Sequence, residues 1–443
     1  MSERPHVVIV GGGFGGLQAA KELGKHDVRV TLIDRTNHHT FQPLLYQVAT
    51  AGLNPADIAV PIRRILRRYE TVTVLLGDVV RVDVPKKRIY MEDGEPISYD
   101  FLIVATGATH SYFGHDEFAE HAPGLKTVDE GLLIRQRIFM AYEEAERDPD
   151  NERKDALLTF VVVGGGPTGV EMAGALSEIA RKTLAREFRR IDTSKARIIL
   201  VEGGDRVLPS YVPMLSEKAL ASLKKIGVEV RTGARVTKVD EEGVMIGDER
   251  IRSKTVIWAA GVAASPLARS LGAPLDKVGR VMVEKDLSVP GHHEVFVIGD
   301  LAHFEQDGHM VPGVAQGALQ GAKCVAKNIL RLIEGDATAP FVYKDLGSMA
   351  TIGRAAAVAE VGSAKMYGFV AWMAWVVLHI VTLIGFKNRV LVFIQWIWAY
   401  FTHERGSRLI HGMVHAAAAE PPVLPSQRGK DLARSTARAT ANV

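Results

Sequence analysis

The chain has 443 residues, 47% hydrophobic and 24% charged, a globular composition long enough for two or three domains with their own cores. Its net charge of +3 is too small to indicate a nucleic-acid partner. Cys324 is the only cysteine, which excludes an internal disulfide, a C-x-x-C pair and a Cys-rich metal site. In its small-residue stretch Cys324 reads as a packing residue. The six residues before the first apolar run are too short and polar for a signal peptide, which places the soluble part in the cytoplasm as an expectation.

In chain order, an apolar β-type run at 7–10 leads into Gly11-Gly12-Gly13-Phe14-Gly15-Gly16 and a helix-forming stretch at 17–23. A strand, a glycine turn and a helix in that order suit a dinucleotide pyrophosphate. The first glycine makes the tight turn, the second admits the phosphate, the third lets helix pack on strand, and the helix N-terminus faces the negative charge. A strand at 28–33 ends at Asp34, where an acid about 20 residues past the glycines holds a ribose hydroxyl. Strand-like segments follow at 71–76 and 100–105, the latter ending in Ala105-Thr106-Gly107. The charged run 142–155 reads as a solvated helix end and loop.

A second apolar run at 160–163 leads into Gly164-Gly165-Gly166-Pro167-Thr168-Gly169 and a helix at 170–179. A charged helix at 181–190 then precedes a strand at 198–201 that ends at Glu202. Turn-rich sequence at 227–247 and a strand at 255–258 complete this unit. The run 295–298 ends in Gly299-Asp300, and a long helix covers 313–332. From 368 the chain turns apolar: 368–386 carries no formal charge, Lys387-Asn388-Arg389 interrupts, and 390–401 is apolar again. Trp372, Trp375, Trp396 and Trp398 lie here, and the tail from 415 has a disordered composition. The expected divisions are 1–115, 116–157, 158–270, 271–347, 348–408 and a tail at 409–443.

The nested order of these motifs resembles the two-dinucleotide-binding flavoprotein superfamily. That resemblance implies an α/β fold of two Rossmann-like domains, the second inserted in the first. It implies non-covalent FAD at Gly11, Gly13, Phe14, Gly15, Gly16, Asp34, Ala105, Thr106, Gly107 and Asp300. It implies NADH, as substrate, at Gly164, Gly166, Gly169, Glu202 and Gly261. The plain readings are a polar residue closing a strand at Asp300 and an ordinary turn at Ala105-Thr106-Gly107. A carboxylate at Glu202 accepts ribose hydroxyls and repels a 2′-phosphate, favouring NADH over NADPH, with Arg206 nearby as a counterweight.

The missing cysteine pair disfavours disulfide reductases and sulfide:quinone reductases. Phe41-Gln42-Pro43-Leu44-Leu45-Tyr46 and Ala315-Gln316-Gly317-Ala318-Leu319-Gln320 closely resemble segments of type II NADH dehydrogenases. The resemblance runs to about Arg408; Gly317 departs from it in making its helix less rigid. It implies that Gln316 and Gln320 lie beside the flavin at the head of a quinone pocket, with Pro43, Leu44, Tyr46 and Lys387. It also implies that Glu171 is linked to proton supply. Gln316 and Gln320, one turn apart, share a helix face and meet either a quinone or solvent. Glu171 is otherwise a carboxylate well placed near a helix N-terminus. No metal is expected.

The C-terminal apolar block resembles that family's membrane-docking helices. Two helices lying in the interface, with Lys387, Arg389 and Arg405 on anionic lipid, suit it better than a crossing. The other reading is a buried dimer interface. The expectation is a non-proton-pumping NADH:quinone oxidoreductase of the respiratory chain, attached monotopically or peripherally to the cytoplasmic face of the cell membrane, as a homodimer. The rivals are a soluble-acceptor reductase passing electrons to ferredoxin or oxygen, and a slow flavin redox sensor.

Overall fold

The computed structural model describes residues 4–410. The tail expected to be disordered lies outside the described residues, apart from its first two positions. Val7, Val8 and Ile9 have no exposed surface, because the strand His6–Val10 is covered on both faces. It sits inside a six-stranded sheet ordered Ser288–Val289, His292–Val297, Phe101–Val104, His6–Val10, Arg29–Asp34 and Val72–Leu76. Its neighbours run parallel, with Val8 opposite both Thr31 and Leu102. A second sheet is ordered Val228–Arg231, Arg197–Val201, Thr159–Val163 and Thr255–Trp258, all parallel. The strand His292–Val297 returns to the first sheet after the second is complete. The second Rossmann-like unit is therefore inserted in the first.

The helices Phe14–Leu23 and Ala315–Glu334 cover one face of the first sheet, where Leu17, Leu23 and Val325 join Ile9 and Phe296. A three-stranded antiparallel sheet covers the other face through Val82 and Ile89. Another antiparallel sheet, Ser348–Gly353, Ala356–Val361 and Ala364–Tyr367, packs on the helix Pro167–Glu178. That contact is close. A Cβ added at Gly174 would meet the Ile352 carbonyl oxygen at 2.1 Å. Two helices follow, Gly368–Thr382 and Phe386–Thr402.

Two expectations fail and a third holds in part. The run 142–155 contains the expected helix end, at Arg147, and a short loop, but a second helix, Asn151–Leu157, capped by Asp150, follows at once. The run's charges face outward while Tyr142 and Ala145 are fully buried. The helix expected at 181–190 is one π-helical turn, Ile179–Thr183, followed by irregular chain. The Glu146 carboxylate accepts the amides of Arg189, Arg190 and Ile191 at 2.9, 3.0 and 3.1 Å, taking the donors a helix would use. The segment 227–247 contains the strands Val228–Arg231, Val236–Asp240 and Gly243–Ile246 rather than turns alone.

Tyr142 packs on Phe160 with ring centroids 5.3 Å apart, and its hydroxyl is buried with no hydrogen-bond partner among the described residues. Ring and hydroxyl therefore act in opposite directions. Tyr142→Ala is expected to destabilise the fold by about 3–5 kcal/mol through cavity formation. Tyr142→Phe, which removes the unpaired polar atom, is expected to be neutral or stabilising. Urea unfolding of both variants beside the wild type measures the difference.

Candidate functional site

The two glycine turns are built alike. Gly11 and Gly164 have φ of +104° and +111°, in the region that favours glycine. A Cβ on Gly16 would lie 1.8 Å from the Gly11 carbonyl oxygen, and one on Gly169 would lie 1.8 Å from that of Gly164. Only glycine lets the helix approach so closely. At Gly13 and Gly166, by contrast, nothing lies within 4 Å of an added Cβ. The protein leaves these two positions open.

The acid at the end of each second strand closes its turn. Asp34 Oδ2 accepts the Gly12 amide at 2.5 Å, and Oδ1 accepts the Thr36 amide at 2.7 Å. Glu202 Oε2 accepts the Gly165 amide at 2.6 Å, and Oε1 accepts that of Gly204 at 2.6 Å. Asp34 Oδ1 also accepts from the Thr36 hydroxyl at 2.7 Å, so it is Asp34 Oδ2 and the two Glu202 oxygens that keep a lone pair for a ribose hydroxyl. Arg206 donates to the Pro209 carbonyl at 3.0 Å and makes no such contact with Glu202.

Thr106 Oγ1 is buried without a hydrogen-bond partner among the described residues, beside Gly107 at φ +65°. Asp300, in the 3-10 turn Gly299–Leu301, has its carboxyl pushed up by burial, against the pull of Lys126 and Arg280. Phe14 meets the His39 ring edge-on at 5.0 Å, and Gly15 packs on Ile298. An orphaned hydroxyl, an open middle glycine and a carboxylate with spare lone pairs fit a dinucleotide in the first unit. The second unit repeats the open glycine and the carboxylate. Gly261, at φ +69°, approaches Phe113 in a loop joining the two units.

Two cavities adjoin where the units meet the C-terminal segment, and Tyr46 and Glu171 line both. Pro43, Lys126, Thr168, Met349 and His379 line the first. Trp372, Trp375, Trp396, Arg354 and Arg405 line the second. Glu171 rides on the helix of the second glycine turn and accepts the Thr351 amide at 3.4 Å. Burial pushes its carboxyl up to about 8, so the acid is protonated at neutral pH. The Tyr46 hydroxyl pairs with Thr351 Oγ1 at 3.1 Å and accepts from Gln47 Nε2 at 3.1 Å. Gln47 Oε1 in turn accepts from Trp396 Nε1 at 2.8 Å.

Of the residues expected at the acceptor site, Glu171, Pro43 and Tyr46 are brought together. Gln316, Gln320, Leu44 and Lys387 line neither cavity. Gln320 clamps the backbone of Lys344, donating to its carbonyl and accepting its amide, both at 2.9 Å. Leu44 is fully buried core, and Lys387 is exposed at the start of the last helix. Arg405 is not turned to lipid: it pairs with Glu178 at 3.0 Å and donates to the Thr50 carbonyl at 2.8 Å. Trp375 is buried. Sequence reasoning missed Lys126, Thr351 and His379. A stripe at Ala371, Trp375 and His379, spaced four residues apart on one helix, is the signal that could have found the last.

Fold and site together define a protein with two dinucleotide-binding units and a redox-type cleft between them. The model of the pyridine nucleotide-disulphide oxidoreductase family matches residues 5–322. Two curated relatives from Mycobacterium tuberculosis are similar along nearly their whole length. The type II NADH:quinone oxidoreductase Ndh is 49% identical, over 92% of this chain and 90% of its own. NdhA, of the same description, is 47% identical over 92% and 89%. The chain thus belongs to the type II NADH:quinone oxidoreductases, within the pyridine nucleotide-disulphide oxidoreductase family. The solved structure of NDH2 from Plasmodium falciparum, in complex with NADH, shares the fold with a TM-score of 0.84 at 21% identity, covering 93% of this chain and all of that one.

The glycine geometry separates folding from binding. In protein free of nucleotide, Gly16→Ala is expected to lower the melting temperature by several degrees or prevent folding, because backbone must move. Gly13→Ala is expected to melt within about 2 °C of wild type, since the added methyl meets no protein atom. Thermal melts followed by circular dichroism distinguish the two.

Proposed function

We propose that this chain carries hydride from NADH to FAD and two electrons onward to a membrane quinone, without pumping protons. The observation that carries this reading is Glu171. It stands on the helix of the second glycine turn, yet lines a cavity walled by Pro43 and Tyr46 of the first unit. FAD, when bound, supplies the hydride-accepting and electron-releasing chemistry. The first unit would hold it through Gly11, Gly13, Gly16, Asp34, Thr106 and Asp300, and the second would hold NADH through Gly164, Gly166, Gly169 and Glu202. The chain's own work is to orient the two nucleotides, keep water from the cleft and hold a proton on Glu171. A single cysteine, Cys324, leaves no thiol pair for disulfide chemistry.

Quinone reduction consumes protons, and a neutral Glu171 beside the cavity can supply one. Gln320 acts as a clamp on the chain at Lys344, and Gln316 stays the candidate of that pair for contact with the flavin side.

We infer that the C-terminal helices dock on lipid. Phe369, Val370, Val377 and Val381 on one helix and Phe386, Ile394, Trp398 and Phe401 on the other are all exposed. Among the described residues no helix is long and apolar enough to cross a membrane. An exposed Lys387 in the first turn of the second helix suits a cytoplasmic-face location. A homodimer covering this face is the competing occupant. Vesicles containing anionic lipid are expected to co-float the full chain, with binding weakened by Phe386→Glu. A stable dimer that ignores vesicles would overturn the docking.

The function is tested by the flavin spectrum of the purified protein. NADH should bleach it and a quinone should restore it; no flavin, or bleaching without quinone turnover, would sink the reading. Quinone reduction is expected to decline as pH rises through about 8, where Glu171 loses its proton. Glu171→Gln should be slow and flat across that range, while NADH bleaching stays near wild type. Glu202→Ala should narrow the preference for NADH over NADPH, measured as the ratio of kcat/KM values.

A further inference from the structure

His379 is a buried polar residue in the last turn of the helix Gly368–Thr382, which apart from Thr382 is otherwise apolar, and burying an imidazole there is unfavourable unless its nitrogens are satisfied. Its Nδ1 lies 2.8 Å from the Trp375 carbonyl oxygen. A carbonyl only accepts, so Nδ1 carries the proton, and in the neutral ring Nε2 is left with a lone pair. The ring is held in place. It stacks on Trp375 with centroids 4.1 Å apart and meets Phe41 edge-on at 6.1 Å.

The cavity that His379 lines is also lined by Glu171. Burial lowers the imidazole to about 4 and raises the carboxyl to about 8, reversing their usual order. At neutral pH the two are therefore a neutral acid and a neutral base, where the same pair in water would tend to ionise. Lys126 lines this cavity too, within the fields of Asp300 and Glu130. A neutral donor and a neutral acceptor suit an uncharged ring whose oxygens are carbonyls in one state and hydroxyls in the other. The Glu171 O–H can meet a carbonyl. The Nε2 lone pair repels a carbonyl and accepts from a hydroxyl.

We propose that His379 is a binding residue for the reduced ring, its Nε2 accepting a quinol hydroxyl in the cavity that Glu171 also lines. This rests on quinone being the electron acceptor. The residue then favours the product form over the substrate form, and its loss acts on the quinol rather than on quinone entry.

The test uses full-length, FAD-loaded enzyme under anaerobic conditions, with menadione as acceptor and menadiol as product inhibitor. In the wild type, menadiol is expected to inhibit at least tenfold more strongly than its dimethyl ether, which cannot donate. His379→Phe, which keeps a ring against Trp375, should raise the menadiol inhibition constant about tenfold. It should leave KM for menadione within about twofold, and FAD content and NADH bleaching unchanged. His379→Gln, which restores an acceptor, should recover most of the loss. Equal inhibition by menadiol and its ether in the wild type would overturn the assignment without any variant. So would a His379→Phe enzyme with unchanged menadiol inhibition, or one whose only defect is FAD loss. A wild type that bleaches with NADH and never reduces menadione would instead overturn the quinone reading itself.

Discussion

The structure depends on one repeated interaction: a carboxylate at the end of a strand gripping the second amide of a glycine turn. Asp34 holds Gly12 across 22 residues of sequence and Glu202 holds Gly165 across 37, with nearly the same distance. Charge-assisted bonds of this type contribute about 1.5–3 kcal/mol each. Their larger consequence is geometric. With the turn pinned from the strand side, the Gly16 and Gly169 approaches can be as close as they are, and the open side at Gly13 and Gly166 faces away from protein. The extra residues before Glu202 are absorbed by the π-helical turn and by the loop that Glu146 gathers, so the grip is unaffected by what lies between.

Pinning both turns also aims the second helix. Because Pro167–Glu178 starts at its glycine turn, Glu171 is carried to the wall where the inserted unit meets the first. The strand Ser348–Gly353 then closes over it, which Gly174 alone permits. Burial follows from that closure, and the raised carboxyl follows from burial. The polar chain from Thr351 through Tyr46 and Gln47 to Trp396 spans contacts 305 and 349 residues apart in sequence. It ties the C-terminal helices to the first unit at the point where Glu171 stands.

Much of this was legible from spacing. Both glycine turns, both strand-end acids, the insertion and the two C-terminal helices follow from local periodicity and turn chemistry, which the sequence carries within windows of a few dozen residues. Glu171 was legible because it lies on the same helix as its motif. Gln320 was misread because helical spacing shows only which residues share a face. The Lys344 backbone that occupies its amide comes from a segment with no periodicity of its own. Arg405 was misread for the same reason: its charge suggested lipid, and its partner Glu178 lies 227 residues away. The stretch 181–190 looked helical by composition, yet past the turn Ile179–Thr183 the chain is irregular and Glu146 takes the amides of Arg189, Arg190 and Ile191.

The C-terminal helix Gly368–Thr382 resolves an apparent conflict between being apolar and being part of a polar site. Its inward stripe, Ala371, Trp375, Val376 and His379, closes the two cavities, while its other faces leave Phe369, Val370, Val377 and Val381 exposed. A helix apolar on nearly every side is stable only if something other than water covers the remainder. Lipid against the outer face would keep water from entering around the helix toward the inner one. Glu171 keeps its proton at neutral pH because burial among protein atoms disfavours the carboxylate, and burial likewise keeps His379 neutral. Lifting the helix would return both groups toward their ordinary ranges, the acid losing its proton and the imidazole gaining affinity for one. With lipid on its outer face, as proposed, docking and proton holding would be a single constraint, imposed by one helix through its two faces.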